Sequence, residues 1–174
     1  WINAAGSLRA AEAGTVMHEL GHTLGLHHGG KGDSNNCKSN YLSVMNYALQ
    51  VPMWDPTRPL DYSRSALPSL FEGALVEAAG VAGPNGRFTV FANPSQNPRL
   101  ASASGPIDWN GDGDTDDIVS ANINNLTKVC PATSGNETLR GAEDWSDLVY
   151  SFTTSPDFAP GSRFSAEELL DKAR

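Results

Sequence analysis

All four histidines of the chain, His18, His22, His27 and His28, fall within eleven residues, with one glutamate, Glu19, and two glycines among them. On a helix, residues four apart share a face, so His18 and His22 aim their imidazoles at one point. Glu19 lies one residue round, beside that point without competing for it. Gly25 tolerates backbone angles that other residues avoid and lets the chain break out of the helix. His28, three residues later, is then placed to return a third nitrogen. Three imidazoles with an open fourth position form a catalytic zinc arrangement. Zinc brings the pKa of its bound water near neutrality, and Glu19 is the matching general base. His27 is an adjacent alternative ligand, but the spacing favours His28.

These positions spell H-E-x-x-H-x-x-G-x-x-H, filled by His18, Glu19, His22, Gly25 and His28. The pattern resembles the metzincin clan of zinc peptidases. A second motif follows in the clan's order: "SVMNY", residues 43–47, places Met45 17 residues beyond His28, where the methionine turn is expected. The resemblance implies that Met45 floors the three histidines without binding metal. It also implies that Tyr47, matching the tyrosine of astacin- and serralysin-type members, assists the oxyanion. By the same resemblance Val51, Pro52 and Met53 wall the pocket for the side chain that follows the scissile bond. The implied fold is the zincin-like α+β fold. Only 17 residues precede His18, so the expected part is the helix- and loop-rich C-terminal subdomain over residues 1–174. An upper, sheet-bearing subdomain is expected upstream in the same precursor, unless the chain is a reduced relative.

A second metal-type motif lies at 108–117, "DWNGDGDTDD". Asp108, Asn110, Asp112, Asp114 and Asp116 put oxygen side chains at alternate positions, and Gly113 takes the sixth place, where a calcium loop turns sharply. Oxygen donors at this density suit calcium rather than zinc. The loop departs from the EF-hand or dockerin type at its twelfth place, which is Val119 instead of a bidentate acid. Asp117 or a carboxylate from elsewhere must complete the shell. The expected role of calcium is to secure the 81–140 segment, read as a loop-rich insert with few core residues of its own.

The supporting elements follow from propensity and punctuation. Residues 8–24 read as a helix, with Ser7 as N-cap and Gly25 as the stop. A second helix is expected at 69–79, where Ser69 and Glu72 make a capping-box pattern, Leu67, Leu70, Phe71, Leu75, Val76 and Ala79 fall at helical spacing, and Gly80 ends the run. Short strands fit 87–92 and 118–123. Further helices fit 145–152 and 166–173. Asp61, Tyr62, Glu143 and Asp144 either support the site or cap helices.

Composition bounds the remaining possibilities. Twelve basic and 20 acidic side chains give a formal charge of −8, which argues against nucleic acid and anionic membrane as partners. No apolar run approaches the ~20 residues that span a bilayer. Cys37 and Cys130 are compatible with one disulfide or two free thiols; the secreted location that the resemblance implies favours the disulfide. The expected function is therefore zinc-dependent hydrolysis of a protein or peptide substrate outside the cell. The rivals are a metal-stabilised binding or adhesion module without activity, and a zinc hydrolase acting on other substrates.

Overall fold

The protein is described from a computed structural model over residues 4–127, 129–130 and 136–150. One long helix, α1 (Ala4–Thr23), is followed by a short one, α2 (Tyr47–Gln50), and then by six short strands. The strands are β1 (Leu70–Phe71), β2 (Leu75–Val76), β3 (Phe88–Ala92), β4 (Pro98–Ser102), β5 (Ile118–Val119) and β6 (Thr138–Leu139). They form three antiparallel pairs, β1 with β6, β2 with β5 and β3 with β4, so each pair lies inside the one before it in sequence. The class is α+β. Among the described residues no helix is long and apolar enough to cross a membrane.

α1 matches the expected 8–24 helix as far as Thr23 and starts earlier, so Ser7 lies inside it and is not its N-cap. Gly25 takes a φ of 91° and releases the chain after Thr23, as its position requires. Gly14 is where α1 meets α2: a Cβ there would lie 1.9 Å from the Gln50 carbonyl oxygen.

The helix expected at 69–79 does not form. The segment is instead β1, a tight turn, β2 and a single 3-10 turn at Glu77–Ala79 that Gly80 closes. The cause is Glu72. Its side chain is fully buried and, instead of capping a local helix, it accepts the backbone N–H groups of Ile123 and Glu137. Its own backbone carbonyl accepts the N–H of Ala121. Distant partners outbid the local capping box, and the segment is drawn out to meet them. Burial pushes the Glu72 carboxyl above its usual range, against those hydrogen bonds.

The helix expected at 145–152 is also absent as far as Tyr150; residues 145–147 make one turn. The amides of Asp144 and Trp145 go to the Ser63 carbonyl and that of Val149 to Leu24, which leaves too few local bonds for a helix. The helix expected at 166–173 lies outside the described residues. The strand at 87–92 forms as β3. Of 118–123 only Ile118 and Val119 pair as a strand, after which the chain is pinned to Glu72.

Two apolar clusters hold the molecule. The smaller gathers Leu26, Tyr41, Val44, Met45 and Tyr62 around the end of α1. The larger is drawn mostly from the 81–140 segment, with Val90, Phe91, Ile107, Trp109, Ile123 and Leu126 packed against Leu49, Leu70 and Leu75. The segment expected to be poor in core residues therefore carries the main core.

A disulfide joins Cys37 to Cys130 across 93 residues. Closing so long a loop in the unfolded chain contributes about 4–5 kcal/mol in the chain-entropy account. The double variant Cys37→Ala/Cys130→Ala should therefore melt roughly 10 °C lower by calorimetry or circular dichroism. An unchanged melting temperature would show that the bridge adds nothing to the folded state.

Candidate active site

The site is built on the last turn of α1. His18 and His22 stand one helical turn apart, and the chain turns at Gly25 to bring His28 back. One ring nitrogen of each of the three lies within 4.8 Å of the other two. Ring centroids are 4.7 Å apart for His18 and His22, 5.3 Å for His18 and His28, and 4.9 Å for His22 and His28. His27 is exposed and lies outside the cluster, so of the two neighbours it is His28 that joins it.

Two imidazoles are oriented by backbone carbonyls. Nδ1 of His18 lies 3.0 Å from the Val44 carbonyl oxygen, and Nδ1 of His22 lies 2.9 Å from that of Leu26. A carbonyl only accepts, so each Nδ1 carries the proton and each Nε2 presents a lone pair. Those two Nε2 atoms face each other at 3.1 Å. Two lone pairs so close repel unless a cation lies between them. Burial lowers the pKa of His18, and burial together with its imidazole neighbours lowers that of His28, which favours the neutral, ligating form. The negative charge of Glu19, exposed on α1, acts on both rings in the opposite sense. The three residues are placed to hold a metal ion.

Met45 and Tyr47 come to the same place. Tyr47 is half-buried, with its ring 4.4 Å from that of His28 and 5.3 Å from that of His18. Met45 is fully buried beneath α1. It reaches that position because residue 21 is glycine: a Cβ there would lie 2.2 Å from the Met45 sulfur and 3.0 Å from the Tyr62 ring. Val51 and Pro52 are half-buried, and Met53 is exposed. Met53 lines an open groove of about 510 Å³ with Trp54, Gln96, Leu126 and Val129, and none of the three clustered histidines lines it.

The turn carrying Met45 is fixed by side chains that the sequence left ambiguous. Asp144 is fully buried and accepts hydrogen bonds from the Tyr41 hydroxyl (2.7 Å), the Ser43 hydroxyl and the Ser63 backbone N–H (3.0 Å). Ser43 Oγ in turn accepts the Met45 N–H. Burial raises the Asp144 pKa above its ordinary range, against those bonds. Tyr62 donates to the Met17 carbonyl, and the Asp61 backbone carbonyl accepts the Val44 N–H. Of the four ambiguous residues, three therefore brace the site. Lys38 is a further support that the sequence did not disclose. Its buried ammonium donates to the Gly29 carbonyl, next to His28, and pairs with Asp33 at 2.8 Å.

No family model, curated protein or solved structure matches this chain. The chemistry of the site thus rests on its own geometry.

In the loop at 108–117 four carboxylates converge, with one oxygen each of Glu77, Asp112, Asp114 and Asp117 within 4.8 Å of the others. Asp112 and Asp114 were expected there, and Asp117 or a distant carboxylate was expected to complete the set; the distant one is Glu77. The carboxylates of Asp108 and Asp116 stand outside this group, and Asn110 borders it, its side-chain N–H donating to Asp112 at 2.7 Å. The Asp108 carboxylate takes the N–H groups of Gly111 and Gly113 and shapes the turn, in which Gly113 adopts a φ of 103°. Nothing local announced Glu77, since its place depends on how the chain folds back.

Two substitutions test these supports. Gly21→Ala should displace Met45 and destabilise the fold by about 1–3 kcal/mol, the usual cost of overpacking, and it should weaken metal retention in equilibrium dialysis. Asp144→Ala leaves three buried donors without an acceptor and should cost about 2–4 kcal/mol in urea unfolding. A midpoint equal to the parent's would remove Asp144 from this role.

Proposed function

We propose that the chain carries the catalytic centre of a secreted zinc endopeptidase of the metzincin type. The observation that carries this reading is the convergence of three imidazoles, two of them with Nδ1 tied to a carbonyl and Nε2 left free. Two nitrogens bound to one tetrahedral zinc at about 2.0–2.1 Å lie about 3.3 Å apart. The 3.1 Å between the Nε2 atoms of His18 and His22 is close to that figure. An all-imidazole set also suits zinc better than a hard cation, whereas the oxygen-only donors at the acidic loop suit a hard ion such as calcium.

When bound, zinc would acidify a water and polarise a carbonyl oxygen. Glu19 would accept the water's proton and pass it to the departing amine. The hydroxyl of Tyr47, whose ring lies beside those of His18 and His28, would donate a hydrogen bond to the substrate carbonyl oxygen as negative charge develops there. Met45 and the Asp144 hydrogen bonds would keep the floor of the site rigid.

The substrate would be an extended protein or peptide segment. The Cys37–Cys130 disulfide supports an extracellular setting.

The test is cleavage of unfolded casein by the purified chain, with metal content measured in parallel. The chain should hold one zinc per molecule, lose cleavage to a chelator and regain it with zinc. Glu19→Gln should keep the zinc and lose about 10²–10⁴-fold in rate. Cleavage undiminished in Glu19→Gln, or zinc held without any cleavage, would overturn the reading.

A further inference from the structure

We propose that Glu77, Asp112, Asp114 and Asp117 form a calcium site that clasps the 107–117 loop to the 3-10 turn following β2. This assignment does not depend on the zinc reading.

Three of the four carboxylates are exposed and could belong to a solvated acidic turn. Glu77 could not. It is fully buried, 31 residues before Asp108 in the chain, and carries its carboxylate into the group from another element. One oxygen, Oε1, accepts the Trp109 backbone N–H at 2.7 Å. The other, Oε2, is buried and has no hydrogen-bond partner among the described residues. A buried carboxylate oxygen left without a donor, in a group of four acids, is costly unless a cation meets it.

The dimensions suit one ion. Calcium holds oxygens at 2.3–2.6 Å, so oxygens on opposite sides of it lie about 4.6–5.2 Å apart. The four carboxylate oxygens here lie within 4.8 Å of one another. Four acidic oxygens leave room for the water and carbonyl ligands that bring calcium to six or more. Glu77 supplies the acid that the loop lacks at its twelfth place, Val119.

The backbone of Glu77 is already tied to both ends of the loop. Its carbonyl accepts the Ile107 N–H at 2.9 Å, and its N–H donates to the Asp117 carbonyl at 3.1 Å. A cation on its side chain would close the remaining side of this frame. Trp109, fully buried in the main core, would then be held at the edge of the site. Calcium would thereby be coupled to the packing of the larger apolar cluster.

The probe is terbium, which replaces calcium and emits when a nearby tryptophan is excited. The chain is stripped of metal and its imidazole site is filled with zinc before titration. Terbium emission should saturate, and calcium should reverse it. Calcium at a hundredfold excess over its Kd should raise the melting temperature by about 5 °C and protect 107–117 from proteolysis. Asp114→Asn, a substitution on the surface, should weaken binding by about tenfold or more, and Glu77→Gln should do the same. Glu12→Gln, an exposed substitution on α1, should bind like the parent. Absence of saturable emission, equal affinity in the parent and Asp114→Asn, or an equal thermal shift from magnesium would overturn the assignment.

Discussion

Among the described residues, one long helix and three two-stranded ribbons leave many buried amides without a ladder to join, and each must still find an acceptor. Here a few buried side chains provide it. Glu72 takes amides from two distant segments, Glu77 takes that of Trp109, and Asp144 takes that of Ser63 together with two hydroxyls. Asn46 gives its side-chain N–H groups to the carbonyls of Lys38 and Tyr41 while accepting from Ala48. Lys38 does the converse and serves carbonyls. These groups stand in for regular structure, and their geometry decides where the loops run.

The imidazole cluster depends on the same economy. His18 is aimed by the carbonyl of Val44, Val44 belongs to the turn that carries Met45, and that turn hangs from Asp144 through Ser43. The helix contributes only the spacing of two rings. Their orientation comes from loop carbonyls, and the loops are held by carboxylates far away in sequence. Gly21 completes this arrangement by leaving room for sulfur where any side chain would collide.

The sequence disclosed what is local. The i, i+4 histidines, the break at Gly25, the third ring at His28 and β3 are readable from spacing and propensity, and the structure brings those rings together. It concealed what is decided by return of the chain. The capping-box pattern of Ser69 and Glu72 reads as a helix start because the competing amides, Ile123 and Glu137, lie more than fifty residues on. The run at 145–150 reads as helix because its amides' true partners, Ser63 and Leu24, are invisible from within it. Glu77 is one acid among many until the fold sets it against the loop.

The strand pairing carries a consequence for how the chain acquires this shape. β3–β4 lies within β2–β5, which lies within β1–β6, like brackets closed in turn. The innermost pair spans only a short turn and forms at the lowest entropic cost; each closure then shortens the free chain that the next must bring together. The ribbon from Leu70 to Leu139 can thus assemble from its centre outward, with Glu77 and Asp117 meeting at the middle step. In that order the outermost step, which brings Leu70 against Leu139 and returns the chain towards Asp144, would set the braces of the histidine site in place last.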